Sequence, residues 1–144
     1  MLIGEYTHSA DEKKRISLPS KFRKEVGKKI VVTRGLDRCL FLYPLKEWKS
    51  ISKKLSELST GTADSRGFNR FMLGGAVEID VDAIGRILIP DFLRKFADLK
   101  EKIVFAGVGG RIEIWNEKRW SIYKARVEKQ ADLMAEKLGE IGAF

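Results

Sequence analysis

The sequence predicts an α+β protein made of two tandem copies of one small β-rich module, with flanking helices. Three observations support this prediction: a repeat that covers much of the chain, short apolar runs separated by Gly, Pro and Asp, and amphipathic stretches with helical spacing. The chain has 144 residues, of which 44% are hydrophobic, and a chain of this length and composition can bury a core.

The repeat becomes visible when the chain is compared with itself. Residues 11–19 match residues 82–90 at an offset of 71, and both segments read Asp, three residues, Arg, an apolar-x-apolar triplet and Pro. The agreement continues in the same order through further pairs of segments: Phe22–Lys24 with Leu93–Lys95, Ile30–Val32 with Ile103–Phe105, and Arg38–Phe41 with Arg111–Ile114. We therefore divide the chain into two pseudo-symmetric halves, residues 1–73 and 74–144.

Each half is expected to contain the same elements in the same order. A strand leads into the tight Asp-x-x-x-Arg connection, and a short strand returns from it at residues 16–18 or 87–89. Pro19 and Pro90 end these strands and can open a short helix, since proline fits the first helical turn. Two more strands follow in each half, and the connection between them contains glycine.

Longer helices are predicted near the end of each half. In the first half, apolar residues recur with helical spacing after Pro44, and Asp64 is a candidate N-cap for a second short helix. In the second half, Asn116 is the candidate N-cap of a long helix that ends near Gly139. The apolar faces of these helices are formed by Trp48, Ile51, Leu55, Leu58, Phe68, Phe71, Met72, Trp120, Tyr123, Val127, Ala131, Met134 and Leu138. Such faces indicate core or subunit interface rather than a ligand site.

The charge of the chain favours an anionic partner. The net charge is +8 and the isoelectric point about 9.6, a balance typical of proteins that bind nucleic acid or an anionic surface. Residues 10–38 hold ten basic and four acidic side chains, a net of +6, whereas residues 75–111 hold six of each. The sequence therefore predicts that the first half provides most of the basic surface.

Several classes of protein are disfavoured. The single cysteine, Cys39, lies in an apolar run and predicts a buried side chain in a reducing cytoplasm. No signal peptide is recognisable, and no apolar run approaches the ~20 residues of a membrane span. The glycines at 107–110 precede a strand, so they do not predict a nucleotide-binding loop. We expect no cofactor, no metal and no membrane partner.

The duplicated Asp-x-x-x-Arg motif is the candidate functional feature. Arg15 and Arg86 each follow a tight turn, and Asp11 and Asp82 can accept hydrogen bonds from the turn amides or from the arginine itself. A guanidinium held in this way can bind guanine O6 and N7 in a major groove, or it can bind a phosphate. A surface ion pair worth about 0–1 kcal/mol is the simpler interpretation of one such motif, but two copies at matched positions favour a function.

Further basic residues surround the first motif and suit contacts to backbone phosphates. They lie in the turn and on the short helix that follows it: Lys13, Lys14, Lys21, Arg23 and Lys24.

The chain resembles the MraZ family, bacterial relatives of the AbrB-like transition-state regulators. The resemblance is carried by Gly4-Glu5-Tyr6 with His8, both Asp-x-x-x-Arg motifs, Gly35-Leu36-Asp37, residues 39–44 with Trp48, and residues 85–90. It implies a swapped-hairpin β-barrel in which the two halves interlock, and a ring-shaped homo-oligomer. It also implies a nucleoid-associated transcriptional regulator of the division and cell-wall gene cluster, which binds short tandem promoter repeats in duplex DNA through Arg15 and Arg86.

The chain departs from the family pattern at the first motif. Ala10 stands where a Leu is usual before Asp, and Lys14 stands where a Gly is usual before Arg. The second motif retains its glycine as Gly85. Because glycine tolerates backbone conformations that other residues avoid, the geometry of the first turn is the weakest part of the expectation.

The sequence leaves two alternative functions to consider, an enzyme and a basic scaffold. An enzyme would need a reactive pair, and the only histidine, His8, is near Asp11 or Glu5 in sequence, but no nucleophile and no cluster of metal ligands accompanies it. A basic oligomeric scaffold would bind nucleic acid or an anionic surface without sequence preference. For Arg86, both base reading and simple backbone contact remain open.

Overall fold

The computed structural model describes residues 1–144 and shows the α+β architecture that the repeat predicts. In chain order the elements are β1 (Leu2–Ser9), β2 (Arg15–Ser17), α1 (Ser20–Val26), β3 (Lys29–Arg34), β4 (Leu40–Pro44), α2 (Leu45–Ser56), α3 (Ala63–Met72), β5 (Val77–Asp80), β6 (Arg86–Leu88), α4 (Asp91–Phe96), β7 (Lys102–Gly109), β8 (Ile112–Asn116) and α5 (Glu117–Glu140). The first half contributes β1 to α3, and the second half repeats the order with a single long helix at its end.

The two halves are interlocked through their strands. One sheet has six strands in the order β1-β7-β8-β4-β3-β5, and a second sheet consists of β2 and β6 alone. Strand β1 pairs antiparallel with β7 over eight residues, from Leu2 opposite Gly109 to Ser9 opposite Lys102. Strand β5 pairs with β3, so each half gives its first strand to the other half. Neither half completes its hydrogen bonds alone.

The barrel that the family resemblance implied is not closed. Strands β1 and β5 form the two edges of the six-stranded sheet, and no ladder joins them to the β2–β6 pair. The tight turns after β1 and β5 redirect the chain away from the sheet, and β2 and β6 have only three residues each. Strands this short form a two-stranded ribbon that covers the sheet through its side chains instead of extending its ladder.

The main core lies between the ribbon and the concave face of the six-stranded sheet. It contains 18 buried residues drawn from both halves. Ile16 of β2 and Ile87 of β6 face each other in the ribbon and are 0% and 1% exposed. Phe22 of α1 and Leu93 of α4 close the core on two sides, as their matched positions predict. Burial of a side chain of this size contributes roughly 1.5–3 kcal/mol.

The outer face of the sheet carries the longer helices. A second cluster of seven buried residues, among them Cys39, Leu55 and Trp115, packs under α2, α3 and the start of α5. The rings of Trp115, Trp120 and Tyr123 contact one another at centroid distances of 4.9–6.4 Å. From residue 128 to its end, α5 is exposed. None of the helices combines the length and apolarity that a bilayer crossing needs.

Two details of the helix predictions changed and one was confirmed. Asn116 caps α5, where its side chain accepts a hydrogen bond from the Arg119 amide at 3.1 Å. Thr62, not Asp64, caps α3, because its hydroxyl accepts from the Ser65 amide at 3.2 Å while Asp64 already lies in the first turn. Leu58 lies beyond the end of α2 and is exposed, so it adds nothing to the apolar face of that helix.

The shared core predicts that the two halves unfold together. Replacing Ile87 by Ala should destabilise the protein by about 2–5 kcal/mol, because the cavity opens beneath strands of both halves. In urea, tryptophan fluorescence and far-ultraviolet circular dichroism should then report one coincident transition, shifted to lower denaturant. The neighbouring exposed Leu88→Ala serves as control and should shift the midpoint little. Two separate transitions would contradict the interlocked fold.

Candidate nucleic-acid interface

The first Asp-x-x-x-Arg motif folds into a tight turn organised by its aspartate. Oδ1 of Asp11 accepts hydrogen bonds from the amides of Lys13 at 2.9 Å and Arg15 at 2.8 Å, and Oδ2 accepts from Nε of Arg15 at 2.8 Å. Backbone hydrogen bonds from Lys14 to Asp11 and from Asp11 to Arg15 close the turn. One carboxylate therefore fixes the loop and orients the guanidinium together.

The second motif repeats this geometry. Oδ1 of Asp82 accepts from the amides of Ile84 at 3.1 Å and Arg86 at 2.8 Å, and Oδ2 accepts from Nε of Arg86 at 2.7 Å. The backbone hydrogen bond from Arg86 holds the pKa of the Asp82 carboxyl below its ordinary value. Partial desolvation raises the pKa of Asp11, but the hydrogen bonds from Arg15 and Lys13 outweigh this effect and leave the pKa lowered. Both carboxylates thus stay charged at neutral pH and keep their arginines in place.

Both arginines lie on the outer face of the β2–β6 ribbon. In the antiparallel register, Arg15 is opposite Leu88 and Arg86 is opposite Ser17, while Ile16 and Ile87 between them point into the core. Arg15 and Arg86 are diagonal neighbours, whose backbone positions are roughly 7–8 Å apart, so both side chains leave the same face of the ribbon and belong to one surface patch. We call this patch of Arg15, Ser17, Arg86 and Leu88 the ribbon face.

Arg15 and Arg86 are held in place by their aspartates but remain accessible to a ligand. Each side chain is about one third exposed, at 33% for Arg15 and 30% for Arg86, and the ion pairs with aspartate lie at the surface, not in the core. Only Nε of each guanidinium is engaged with the aspartate, and the terminal Nη atoms make no hydrogen bond within the chain. The free edge of each fork can therefore meet a pair of acceptors such as guanine O6 and N7, or two phosphate oxygens.

The sequence missed one member of the ribbon face. Leu88 is 53% exposed although it belongs to a predicted apolar triplet. The signal was present in the repeat, because the position that matches Leu88 in the first half is Ser17, a polar residue. An exposed leucine between two arginines can contact a thymine methyl group.

The basic residues that the sequence grouped with the first motif divide into two groups, and α1 itself lies beside the second motif, where the Arg23 side chain adjoins Gly85. Lys13 and Lys14 in the turn and Lys21 and Lys24 on α1 are exposed, as a phosphate-contacting surface requires. Arg23 is half-buried, and its Nε donates to the Leu18 carbonyl at 3.0 Å. The structure therefore separates Arg23 from the four lysines with which the sequence grouped it.

The candidate acid–base residues do not form a reactive pair. His8 is half-buried with its ring edge-on to Phe105 at a centroid distance of 6.0 Å, and it makes no hydrogen bond. The carboxylates that the sequence suggested as its partners are engaged elsewhere: Glu5 accepts from Nζ of Lys124 at 2.6 Å, and Asp11 holds Arg15. No group of three or more potential metal ligands is present. Burial raises the pKa of the Cys39 thiol well above its usual range, so that sulfur is not a nucleophile.

Comparison with known proteins places this geometry in a family. The family model described as "MraZ protein, putative antitoxin-like" matches twice, over residues 1–71 and 72–138, and each match contains one Asp-x-x-x-Arg turn. The chain belongs to the MraZ family. The double match confirms the two MraZ modules that the internal repeat predicted.

Relatives of the MraZ family resemble the chain over nearly its whole length. Proteins named "Transcriptional regulator MraZ" from Syntrophomonas wolfei and Caldicellulosiruptor saccharolyticus are 46% and 48% identical over 142 residues, which is 99% of this chain and 99% of each relative. The protein of the same name from Caldanaerobacter subterraneus is 47% identical over 138 residues, or 96% of both chains. None of these names describes an enzyme.

Lys14, which stands where the family usually has glycine, has a strained backbone. Lys14 adopts a φ of 64°, in the left-handed region that favours glycine, and its counterpart Gly85 adopts a φ of 85°. The turn thus survives without its glycine, at a conformational cost of about 1 kcal/mol. The hydrogen bonds to Asp11 hold the strained residue in place.

This strain predicts opposite effects of exchanging the two residues. Lys14→Gly should raise the free energy of unfolding by about 0.5–1 kcal/mol, because glycine accepts the positive φ without strain. Gly85→Lys should lower it by more, because a Cβ at residue 85 also overlaps the Arg23 guanidinium. Urea denaturation of both variants measures the difference. Equal effects of the same sign would contradict the assignment of strain to Lys14.

His8 predicts a loss of stability on mild acidification. Desolvation and the nearby positive charge of Arg23 lower the pKa of His8 below 6.5 in the folded protein. As the pH falls below about 6.5, the unfolded chain takes up a proton that the folded chain resists, so the free energy of unfolding decreases. Thermal unfolding between about pH 7.5 and 5.5 should show this decrease in the wild type. His8→Gln, which cannot titrate, should flatten the profile, whereas an unchanged slope would assign the effect to other groups.

Proposed function

We propose that this chain is a sequence-specific transcriptional regulator that binds duplex DNA through the ribbon face. The observation that carries the proposal is the pair of arginines, each oriented by an aspartate and each with a free guanidinium edge on one side of a two-stranded ribbon. A two-stranded ribbon is narrow enough to enter a major groove. The relatives named as transcriptional regulators support the same interpretation.

In this proposal the two kinds of contact have separate roles. Arg15 reads a guanine edge, and Arg86 either reads a second base or contacts the backbone from the same face. Leu88 contacts a neighbouring thymine methyl. Four exposed lysines bind phosphates and fix the orientation of the ribbon on the duplex: Lys13, Lys14, Lys21 and Lys24.

Self-assembly increases the number of ribbon faces that can contact one DNA duplex. The distal part of α5, from residue 128 onward, is exposed and carries the apolar side chains of Leu133, Met134 and Leu138. Exposed apolar residues on one protruding helix support association with further copies, and the family resemblance implies a closed ring. A ring presents the ribbon face at fixed spacing, so weak contacts to tandem repeats about one helical turn apart reinforce one another. The regulator would act as a repressor in the nucleoid, on repeats upstream of the division and cell-wall gene cluster, as the resemblance implies.

An unspecific DNA-binding or anion-binding scaffold is the second candidate. The net charge of +8 favours it, because charge alone attracts any polyanion. The oriented arginines favour the specific regulator, since a carboxylate beside each guanidinium reduces general attraction to phosphate while it fixes the direction of the fork. A comparison of specific and mixed-sequence DNA separates the two candidates.

Replacing Arg15 by Ala tests the specific function. Its affinity for the duplex upstream of this chain's own gene should fall by about tenfold to a hundredfold, because a bidentate base contact is worth roughly 1–3 kcal/mol, while affinity for a mixed-sequence duplex changes little. Fluorescence anisotropy at several salt concentrations measures both quantities. Arg86→Ala is examined in parallel, since loss of a phosphate contact lowers the salt slope by about one. A folded Arg15→Ala variant with wild-type affinity for the upstream duplex would exclude Arg15 as the reading residue.

A further inference from the structure

The two motifs differ in how they are attached to the helix of the opposite half. At the second motif, the Leu18 amide donates to the Gly85 carbonyl at 2.8 Å, and Nε of Arg23 donates to the Leu18 carbonyl at 3.0 Å. The Arg23 guanidinium lies so close over Gly85 that a Cβ there would overlap it. Helix α1 of the first half thus holds the turn of the second half in place. We call these contacts of Leu18 and Arg23 with the Gly85 turn the latch.

The first motif lacks this latch. The repeat offset pairs Lys14 with Gly85, Ile89 with Leu18 and Arg94 with Arg23. No hydrogen bond joins the Ile89 amide to the Lys14 carbonyl, and Nε of Arg94 is buried without a hydrogen-bond partner. Arg94 therefore does not hold the first turn in the way that Arg23 holds the second.

Arg94 lines a group of adjoining clefts beside the first turn. Three clefts, of about 250, 270 and 420 Å³, all have Lys14 and Arg94 in their walls. The smallest also contains Lys95 and Lys100, so four cations surround it against the two carboxylates of Asp91 and Asp98. The cleft of about 270 Å³ holds Lys14, Arg94 and Lys100 against Asp11 and Glu101. Its counterpart at the second motif holds Arg23 and Lys28 against Asp82.

We propose that Lys14, Arg94, Lys95 and Lys100 form a phosphate-binding site next to the Arg15 turn. The site is composite, because the turn comes from the first half and the other three cations come from α4 and the loop after it in the second half. Its ligand is a backbone phosphate of the duplex that the ribbon face contacts, so the inference rests on the proposed function. The latched second motif has no counterpart of this site.

The carboxylates in the cleft do not prevent anion binding. Asp91 pairs with Arg94 and has a side chain 74% exposed, and Asp98 pairs with Lys100 at 3.1 Å. The exposed Lys100–Asp98 pair contributes about 0–1 kcal/mol. The Asp91 side chain can turn into solvent, so a phosphate can take its place at the guanidinium of Arg94, whose own side chain is 17% exposed. The first half has Ser20 in place of Asp91, which shows that the fold does not need an acid there.

Titration with inorganic phosphate tests the site without DNA. In ¹⁵N-labelled protein, the Nε–Hε resonance of Arg94 should shift on addition of phosphate at constant ionic strength, whereas that of Arg23 should stay in place because its hydrogen bond is already made. Asp91→Asn removes a competing anion and should lower the phosphate concentration at half-saturation severalfold. No shift at Arg94, or weaker binding in Asp91→Asn, would overturn the proposal.

Binding of a mixed-sequence duplex then tests whether the ligand is DNA backbone. Arg94→Ala and Lys100→Ala should each lower the salt slope by about one, because each removes a phosphate contact. Lys28→Ala, an exposed lysine in the matched cleft of the second motif, is the control and should keep the wild-type slope. Wild-type slopes in both variants would show that the site binds free phosphate only and would overturn the DNA assignment.

The two experiments separate this inference from the proposed function. If the wild-type protein binds neither duplex, the proposed function fails, and the resonance of Arg94 still decides whether the phosphate site exists. If the protein binds the upstream duplex through Arg15 while Arg94 and Lys100 variants behave as wild type, the regulator remains and the composite site is rejected.

Discussion

The pairing of β2 with β6 is the contact on which the rest of the structure depends. Ile16 and Ile87 face each other across this ribbon and are almost completely buried, and the two strands come from opposite halves of the chain. Side chains alternate along a strand, so burial of these two isoleucines forces their neighbours Arg15 and Arg86 outward. The same hydrophobic contact therefore joins the halves and presents the two guanidinium groups.

The strand exchange explains why a module of this size is duplicated. A half of about 70 residues would be only marginally stable on its own, and its first strand has its partner in the other half. Combining the halves in one chain makes the exchange intramolecular, and the loop-closure cost of the connecting segment is small. Duplication also frees each copy to change separately, and the contrast between Lys14 and Gly85 is an example of such a change.

The aspartates of the two motifs fix the orientation of the Arg15 and Arg86 side chains. Asp11 and Asp82 use one oxygen for backbone amides and the other for the guanidinium, so the position of the arginine is set by the same hydrogen bonds that shape the turn. This arrangement reduces the rotamer entropy that an arginine loses on binding. In the first turn it also stabilises a lysine with a positive φ, which an unsupported loop would avoid.

By itself, the sequence determined the duplicated module, the order of most elements, the Asn116 cap, the buried Cys39 and the position of both motif arginines after a tight turn. These features are local: they follow from apolar spacing, turn residues and a repeat that can be read along the chain. Only the tertiary structure decided that β1 pairs with β7 and that the ladder stays open instead of closing into a barrel. It also decided that Nε of Arg23 donates a hydrogen bond while Nε of Arg94 has no partner. Those outcomes depend on contacts between residues 62 to 107 positions apart, whose register and steric fit no local pattern encodes.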